Sequence, residues 1–274
     1  MSRSIAERRA AFRALHASGC FVLPNPWDVG SARHLASMGF AALATTSAGQ
    51  AWSTGRPDGD ATRDEVLDHL RTLAAATDLP VNADFEDGFG AGPAEVAANV
   101  ALAVDTGVAG LSIEDGTGDP GAPLYALDVA VDRLRAARRA IDAAGGDVLL
   151  VGRAENFFVG RPDLDDTVAR LRAYAQAGAD CLYAPGIRTR EQIAAVVAAV
   201  APKPVNLLVG GPTDLGLPEI AALGVRRVSV GGALARAAWG GFTRAAQALQ
   251  QGRLDTAFEG AVPGAVLNGW FAAR

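Results

Sequence analysis

Eight short runs of nearly unbroken apolar character recur about every 20 to 40 residues: CFVLPN (20–25), FAALATT (40–46), LPVNADF (79–85), GLSIED (110–115), DVLLVGR (147–153), CLYAP (181–185), KPVNLLV (203–209) and RRVSVG (226–231). Continuous rather than alternating runs of this length are the pattern of parallel strands covered on both faces. The stretches between them are rich in Ala, Leu and Arg and carry helical spacing. In 63–77, Val66, Leu70, Leu73 and Ala74 fall on one side. The stretch 126–146 repeats that spacing and stops at two glycines, a helix-end signal, and 164–180 ends in the same way.

Strands and crossover helices in this alternation predict a closed (β/α)8 TIM barrel, one domain over residues 1–274 with no linker. An open doubly wound sheet is the alternative. It usually carries a GxGxxG turn after its first strand, and PNPWDVG (24–30) is not one. Apolar residues continue past the eighth helix, at Phe258, Val262, Val266, Leu267, Trp270 and Phe271. The 233–274 helical region must therefore pack under the barrel or on a neighbouring subunit.

Composition narrows the function. Of 274 residues, 50% are hydrophobic and 20% charged, enough for a large core and against disorder. The net charge of −5, with no basic run, argues against nucleic acid as a partner, because phosphate contacts need clustered Lys and Arg. Two cysteines, Cys20 and Cys181, make neither a disulfide framework nor a zinc spacing, which fits a reducing, cytoplasmic setting. The N-terminal MSRSIAERRAAFRALHASG has no apolar core of signal-peptide length, and no segment reaches membrane-spanning length. A soluble protein without a membrane partner is expected.

Barrel enzymes build their sites at the C-terminal strand ends. Strand one offers Asn25 and Asp28 there; strand two Thr45, Thr46 and Ser47; strand three Asp84, Glu86 and Asp87; strand four Glu114 and Asp115; strand five Arg153, Glu155 and Asn156. Strands six, seven and eight offer Tyr183, Asn206 and Ser229. Acids on two neighbouring strands repel one another, and burial sharpens the repulsion. A divalent cation offsets it, and an all-oxygen donor set points to Mg2+, with Mn2+ as the other choice, rather than zinc. An arginine on the next strand would grip a substrate carboxylate or phosphate. The alternative for Asp87 and Asp115 is an N-cap or a solvated loop residue.

Four stretches carry a resemblance to the isocitrate lyase/phosphoenolpyruvate mutase superfamily: NPWDVGSARHLASMGFAALATTSAG (25–49), GRPDGDATRDE (55–65), PVNADFEDGFG (80–90) with GVAGLSIEDG (107–116), and VGRAENFFVG (151–160). The resemblance implies a (β/α)8 barrel whose eighth helix swaps into a partner, in homodimers paired to homotetramers. It implies Asp84 as the direct Mg2+ ligand, with Glu86, Glu114 and Asp58 acting through water. It places the cradle for a substrate carboxylate at Thr46, Ser47 and Ala48. Arg153 is the strand-five arginine and Asn206 the strand-seven carboxylate partner. Arg153 and Asp58 take the catalytic roles.

Members bind a 2-oxo acid or its enolate across the ion and make or break a bond at C3. The cysteine loop of the isocitrate and methylisocitrate lyases has no counterpart here: residues 114–128 contain no Cys, Lys, Arg or His. The expectation is therefore a Mg2+-dependent lyase cleaving or decarboxylating a small 2-oxo or 2-hydroxy dicarboxylate. The alternatives are a carbon–phosphorus hydrolase or mutase acting on a phosphonopyruvate-like substrate, and a barrel that only binds a dicarboxylate.

The remaining polar features have simpler readings. His16, His34 and His69 fall within predicted helices, away from the strand ends. Gly210-Gly211 and Gly231-Gly232 read as turns. Tyr125 and Tyr183 are rim aromatics that could donate a proton, and Trp27 and Trp52 lie near the predicted mouth. The Phe157-Phe158 pair should pack behind Arg153.

Overall fold

The computed structural model describes residues 3–272, so the outermost two residues at each end of the expected domain lie outside it. Eight strands alternate with helices. The strands are β1 (Phe21–Leu23), β2 (Leu43–Ala44), β3 (Val81–Asp84), β4 (Gly110–Glu114), β5 (Leu149–Arg153), β6 (Cys181–Tyr183), β7 (Val205–Leu208) and β8 (Arg227–Ser229). The helices are α1 (Ile5–Leu15), α2 (Val29–Ser37), α3 (Ser47–Ser53), α4 (Arg63–Ala76), α5 (Pro93–Asp105), α6 (Leu127–Ala143), α7 (Leu164–Gln176), α8 (Arg190–Val200), α9 (Leu217–Ala222), α10 (Ala233–Gln250) and α11 (Gly264–Ala272).

All seven ladders are parallel, in the order β1-β8-β7-β6-β5-β4-β3-β2. The ring closes between β1 and β2, where the Ala44 N–H donates to the Pro24 carbonyl at 3.1 Å. Asn25 reinforces that seam. Its Nδ2 donates to the Thr45 carbonyl at 2.8 Å, and its Oδ1 accepts from the N–H groups of Val230 and Gly231 at 2.9 Å each. This is the TIM-barrel class expected from the alternation of strands and helices.

Each strand lies inside its predicted run but is shorter, because the ends of the runs are already turning at the barrel mouth. Residues alternate between the two faces. Ala83, Leu111, Ile113, Leu150, Leu182, Val205 and Leu207 join the apolar layer against the helices. The opposite parity, Asn82, Asp84, Ser112, Arg153, Tyr183, Asn206, Arg227 and Ser229, lines the central cavity. The predicted apolar face of α4 is the buried one, with Val66, Leu70, Leu73 and Ala74 all inside.

The C-terminal region behaves differently from the rest. Of α10 only Ala235 and Ala248 are buried. Helix α11 packs on α2 of the same chain, where the Trp270 ring stacks on His34 with centroids 3.8 Å apart. Among the described residues, no helix is long and apolar enough to cross a membrane.

Candidate active site

Strand register builds the site. Glu114 pairs with Arg153, Arg153 with Tyr183, Tyr183 with Asn206, and Asn206 with Arg227. These five residues follow one line of register around the inner wall. Asp84 is in register with Ser112, two residues before Glu114 and on the same face. A cavity of about 980 Å³ opens over them.

Arg153 is the hub. Its Nη1 lies 3.2 Å from Asp84 Oδ1 and 2.8 Å from Glu114 Oε2, and its Nε donates to Glu155 Oε1 at 2.5 Å. Burial pushes the Glu114 carboxyl up against the pull of Arg153, while the surrounding carboxylates hold the guanidinium firmly charged. Asp84 is also fixed from the other side. Its Oδ2 accepts from the Ser47 N–H at 3.1 Å, and its own N–H donates to Thr45 Oγ1 at 2.8 Å.

Glu86 sits in a left-handed turn with φ 45°, uncommon for a side-chain-bearing residue and costly unless its surroundings enforce it. Its Oε1 is buried and has no hydrogen-bond partner. Burial first, then the charges of Asp84, Asp58 and Asp87, push this carboxyl up to about 8. Asp58 is raised by burial as well, against the pull of the nearby Ser47 hydroxyl.

The donor set therefore consists of oxygen atoms, crowded, with more carboxyl groups than Arg153 alone can pair and one orphaned carboxyl oxygen. That composition fits a hard divalent cation such as Mg2+. Among the described residues, no three acidic, His or Cys side chains converge tightly enough to ligate one ion directly.

The expected cradle is the start of α3, a helix the sequence reading did not foresee. Thr46 is its N-cap, accepting from the Gly49 N–H at 3.3 Å, and Ser47 and Ala48 open its first turn on the cavity wall. Asn206 is buried on the same cavity, with Nδ2 donating to Ser229 Oγ at 2.9 Å. Tyr183 also lines the wall, its phenol kept protonated by burial and its ring 5.3 Å from the Arg153 guanidinium carbon.

Two acids of the same stretches leave the site. Asp87 turns away and accepts from the buried Arg133 at 2.7 Å and from the Tyr125 hydroxyl at 2.9 Å, so Tyr125 is a structural partner rather than a rim donor. Asp115 is buried, not a solvated loop residue or a cap. It accepts from the Glu155 N–H at 2.8 Å, from Arg170 at 3.0 Å and from the Tyr174 hydroxyl. It thereby ties the end of β4 to the residues holding Arg153.

The other features divide in the same way. Trp52 lines the cavity, whereas Trp27 packs on Gly49, where an added Cβ would stand 2.9 Å from the Trp27 Cβ. Phe157 packs on the core, but Phe158 is 53% exposed at the cavity mouth instead of behind Arg153. Glu155 and Arg227 are site residues the sequence reading left without roles. The Arg-x-Glu spacing on a strand end, and an arginine within an otherwise apolar strand, were the available signals.

The family model described as phosphoenolpyruvate phosphomutase matches residues 12–250. A crystal structure from Burkholderia cenocepacia J2315, of a protein described only in general terms as a lyase/mutase, superposes with a TM-score of 0.95 at 53% identity and covers 98% of both chains. An uncharacterized protein of Mycobacterium tuberculosis (strain ATCC 25618 / H37Rv) is 33% identical over 226 residues, 81% of each chain. An oxaloacetate decarboxylase of Bradyrhizobium sp. (strain ORS 278) is 32% identical over 232 residues, 81% of this chain and 77% of the relative.

Proposed function

The chain belongs to the phosphoenolpyruvate phosphomutase family, within the phosphoenolpyruvate mutase/isocitrate lyase superfamily, and from that premise we propose that it is a Mg2+-dependent carbon–carbon lyase acting on a small 2-oxo or 2-hydroxy dicarboxylate. The observation that carries this reading is the crowding of carboxyl groups around Arg153, where one guanidinium faces Asp84, Glu114 and Glu155 while Glu86 Oε1 has no partner. The similarity to an oxaloacetate decarboxylase favours decarboxylation or cleavage through an enolate.

In this reading Asp84 holds the ion directly, and Glu86, Glu114 and Asp58 hold its waters. Bound magnesium would supply the Lewis acid that draws charge onto the 2-oxo oxygen. Arg153 lies at the same end of the cavity, where a fixed cation lowers the cost of that developing charge; one such contact is worth about 3 kcal/mol of barrier. Thr46, Ser47 and Ala48 receive one carboxylate and Asn206 the other, which fixes the scissile bond between them. Asp58, raised by burial and lining the cavity beside Ser47, is suited to carry the proton returned to C3. The short 114–128 loop has no Cys, Lys, Arg or His, and loss of CO2 needs no proton donor or acceptor from it once the enolate is stabilised. A homodimer or homotetramer with a swapped α10 belongs to the same proposal.

The test is magnesium-dependent exchange of the C3 protons of pyruvate into deuterium oxide, together with oxaloacetate decarboxylation, each with Asp84→Ala as control. Activity lost in that variant supports the reading. Phosphate release from phosphonopyruvate with no action on oxaloacetate would move the assignment to the carbon–phosphorus bond. Oxalate binding without any turnover would leave a binding protein.

A further inference from the structure

Arg227 lies inside the barrel on β8, only 2% exposed, and lines the floor of the cavity. A buried guanidinium normally meets a carboxylate. Among the described residues, none of the ion pairs includes Arg227. Burial lowers its affinity for the proton, and the acidic groups nearest it, the Cys181 thiol and the Tyr183 phenol, are pushed up by burial and carry no charge near pH 7 to offset its own. Its hydrogen-bond partners are uncharged: Nε donates to Asn206 Oδ1 at 2.8 Å, and Nη1 faces Asn82 Oδ1 at 3.3 Å and His16 Nε2 at 3.4 Å.

This contact decides which way Asn206 points. A guanidinium only donates, so the Asn206 atom facing it must be the oxygen. The amide nitrogen is then turned to the other side, where Ser229 Oγ takes one of its two hydrogens. Among the described residues the second hydrogen has no protein acceptor, and Asn206 lines the cavity. In the opposite amide orientation the cavity would face a carbonyl oxygen, which repels a carboxylate.

We propose that Arg227 is a positioning residue for carboxylate recognition: it locks the Asn206 amide as a donor toward the cavity and leaves one unbalanced positive charge beneath the bound anion. The proposal rests on the dicarboxylate reading for its ligand, but not for the charge it assigns. The acidic cluster and this basic floor then divide the cavity, the acids facing the metal side and Arg227 with Asn206 facing a substrate carboxylate.

Two measurements on the full chain test it. The first is thermal unfolding of Asn206→Asp, which sets a carboxylate against the unpaired guanidinium. The melting temperature should rise by about 2 °C or more. A fall would show that no unbalanced cation is there and would overturn the proposal whatever the function. The second is calorimetric titration with oxalate in the presence of magnesium, for wild type, Asn206→Ala, Arg227→Lys and the double variant.

Each single variant should weaken oxalate by roughly ten-fold or more, and Arg227→Lys should add little once Asn206 is already Ala. Additive effects in the double variant would overturn the positioning role. Failure of the wild type to bind oxalate would overturn both the ligand and the function above it. Asn206→Asp keeps Arg227 in place, so the charge assignment stays testable if the Arg227 substitution fails to fold.

Discussion

Arg153 Nη1 donates to Asp84 Oδ1 at 3.2 Å, and the same nitrogen lies 2.8 Å from Glu114 Oε2. Two acids from neighbouring strands thus share one guanidinium nitrogen, and the two partners have unequal structural weight. Without Asp84, Arg153 still pairs with Glu114 and Glu155, so Asp84→Ala should fold and should lose magnesium-dependent exchange by about 100-fold or more. Without Arg153, three carboxylates face one another with no cation. Arg153→Ala should cost about 3–5 kcal/mol in urea unfolding at neutral pH, and the loss should shrink as acid protonates the cluster.

Glu86 gives the site a pH signature. Its carboxyl is raised from 4.5 to about 8, chiefly by burial and then by Asp84. Between those values the folded chain holds a proton that the unfolded chain has released, so stability falls as pH rises through the window. From about pH 7.5 upward the buried histidines are largely neutral in both states, which leaves the slope to the acids. Without metal, the melting temperature should therefore drop between about pH 7.5 and 8.5. Glu86→Gln should make that slope shallower, and millimolar magnesium should flatten it in the wild type. An identical slope in the Gln variant would remove Glu86 as its source.

The parity of β-strands explains what the sequence disclosed about this site and what it withheld. Asp84, Glu114 and Arg153 were legible because strand ends at a barrel mouth carry the chemistry, and all three point inward. Asp87 and Asp115 sit in the same acidic stretches, yet Asp115 comes one residue after the inward-facing Glu114, and Asp87 follows the left-handed turn at Glu86. They face the helix layer, where Arg133 in one case and Arg170 with Tyr174 in the other receive them. That distinction needs the register, which no single strand reveals. The β-strands were found because apolar runs covered on both faces are conspicuous. Helix α3 was not, since SAGQAWS is short and has no apolar periodicity. Arg227 escaped notice because RRVSVG does not show which arginine of the pair turns inward.

His16 works in the opposite pH direction from Glu86. It is buried beneath the barrel, its Nδ1 2.8 Å from the Phe12 carbonyl and its Nε2 toward Arg227. Burial and that guanidinium lower it from 6.5 to about 3, and burial lowers His69 to about 4. A histidine depressed in the folded state makes the unfolded chain the better proton binder, so stability is lost as pH falls below about 6.5, by at most about 1.4 kcal/mol per pH unit and group. His16→Gln should unfold less steeply with acid between pH 6 and 4 than the wild type. Comparing the two proteins cancels the opposing slope of the carboxyls. Parallel acid limbs would mean that His16 binds its proton equally well in the folded and unfolded chains.

Helix α10 presents an apolar surface that its own chain leaves open. Trp239 and Phe242 meet edge to face with centroids 5.5 Å apart, and they are 44% and 64% exposed. Leu249, Leu254 and Phe258 extend the apolar surface along the same segment, also exposed. Exposed apolar side chains of this number on α10 and the turns after it mark an association surface, and α10 packs little against its own barrel because only Ala235 and Ala248 are buried. The swapped eighth helix implied by the superfamily would cover it with a second copy. Sedimentation velocity at micromolar concentration should then show a dimer or tetramer, and a Trp239→Lys/Phe242→Lys variant should shift toward monomer with a lower melting temperature. A wild-type chain that stays monomeric at tens of micromolar would leave the helix unswapped and the site complete within one subunit.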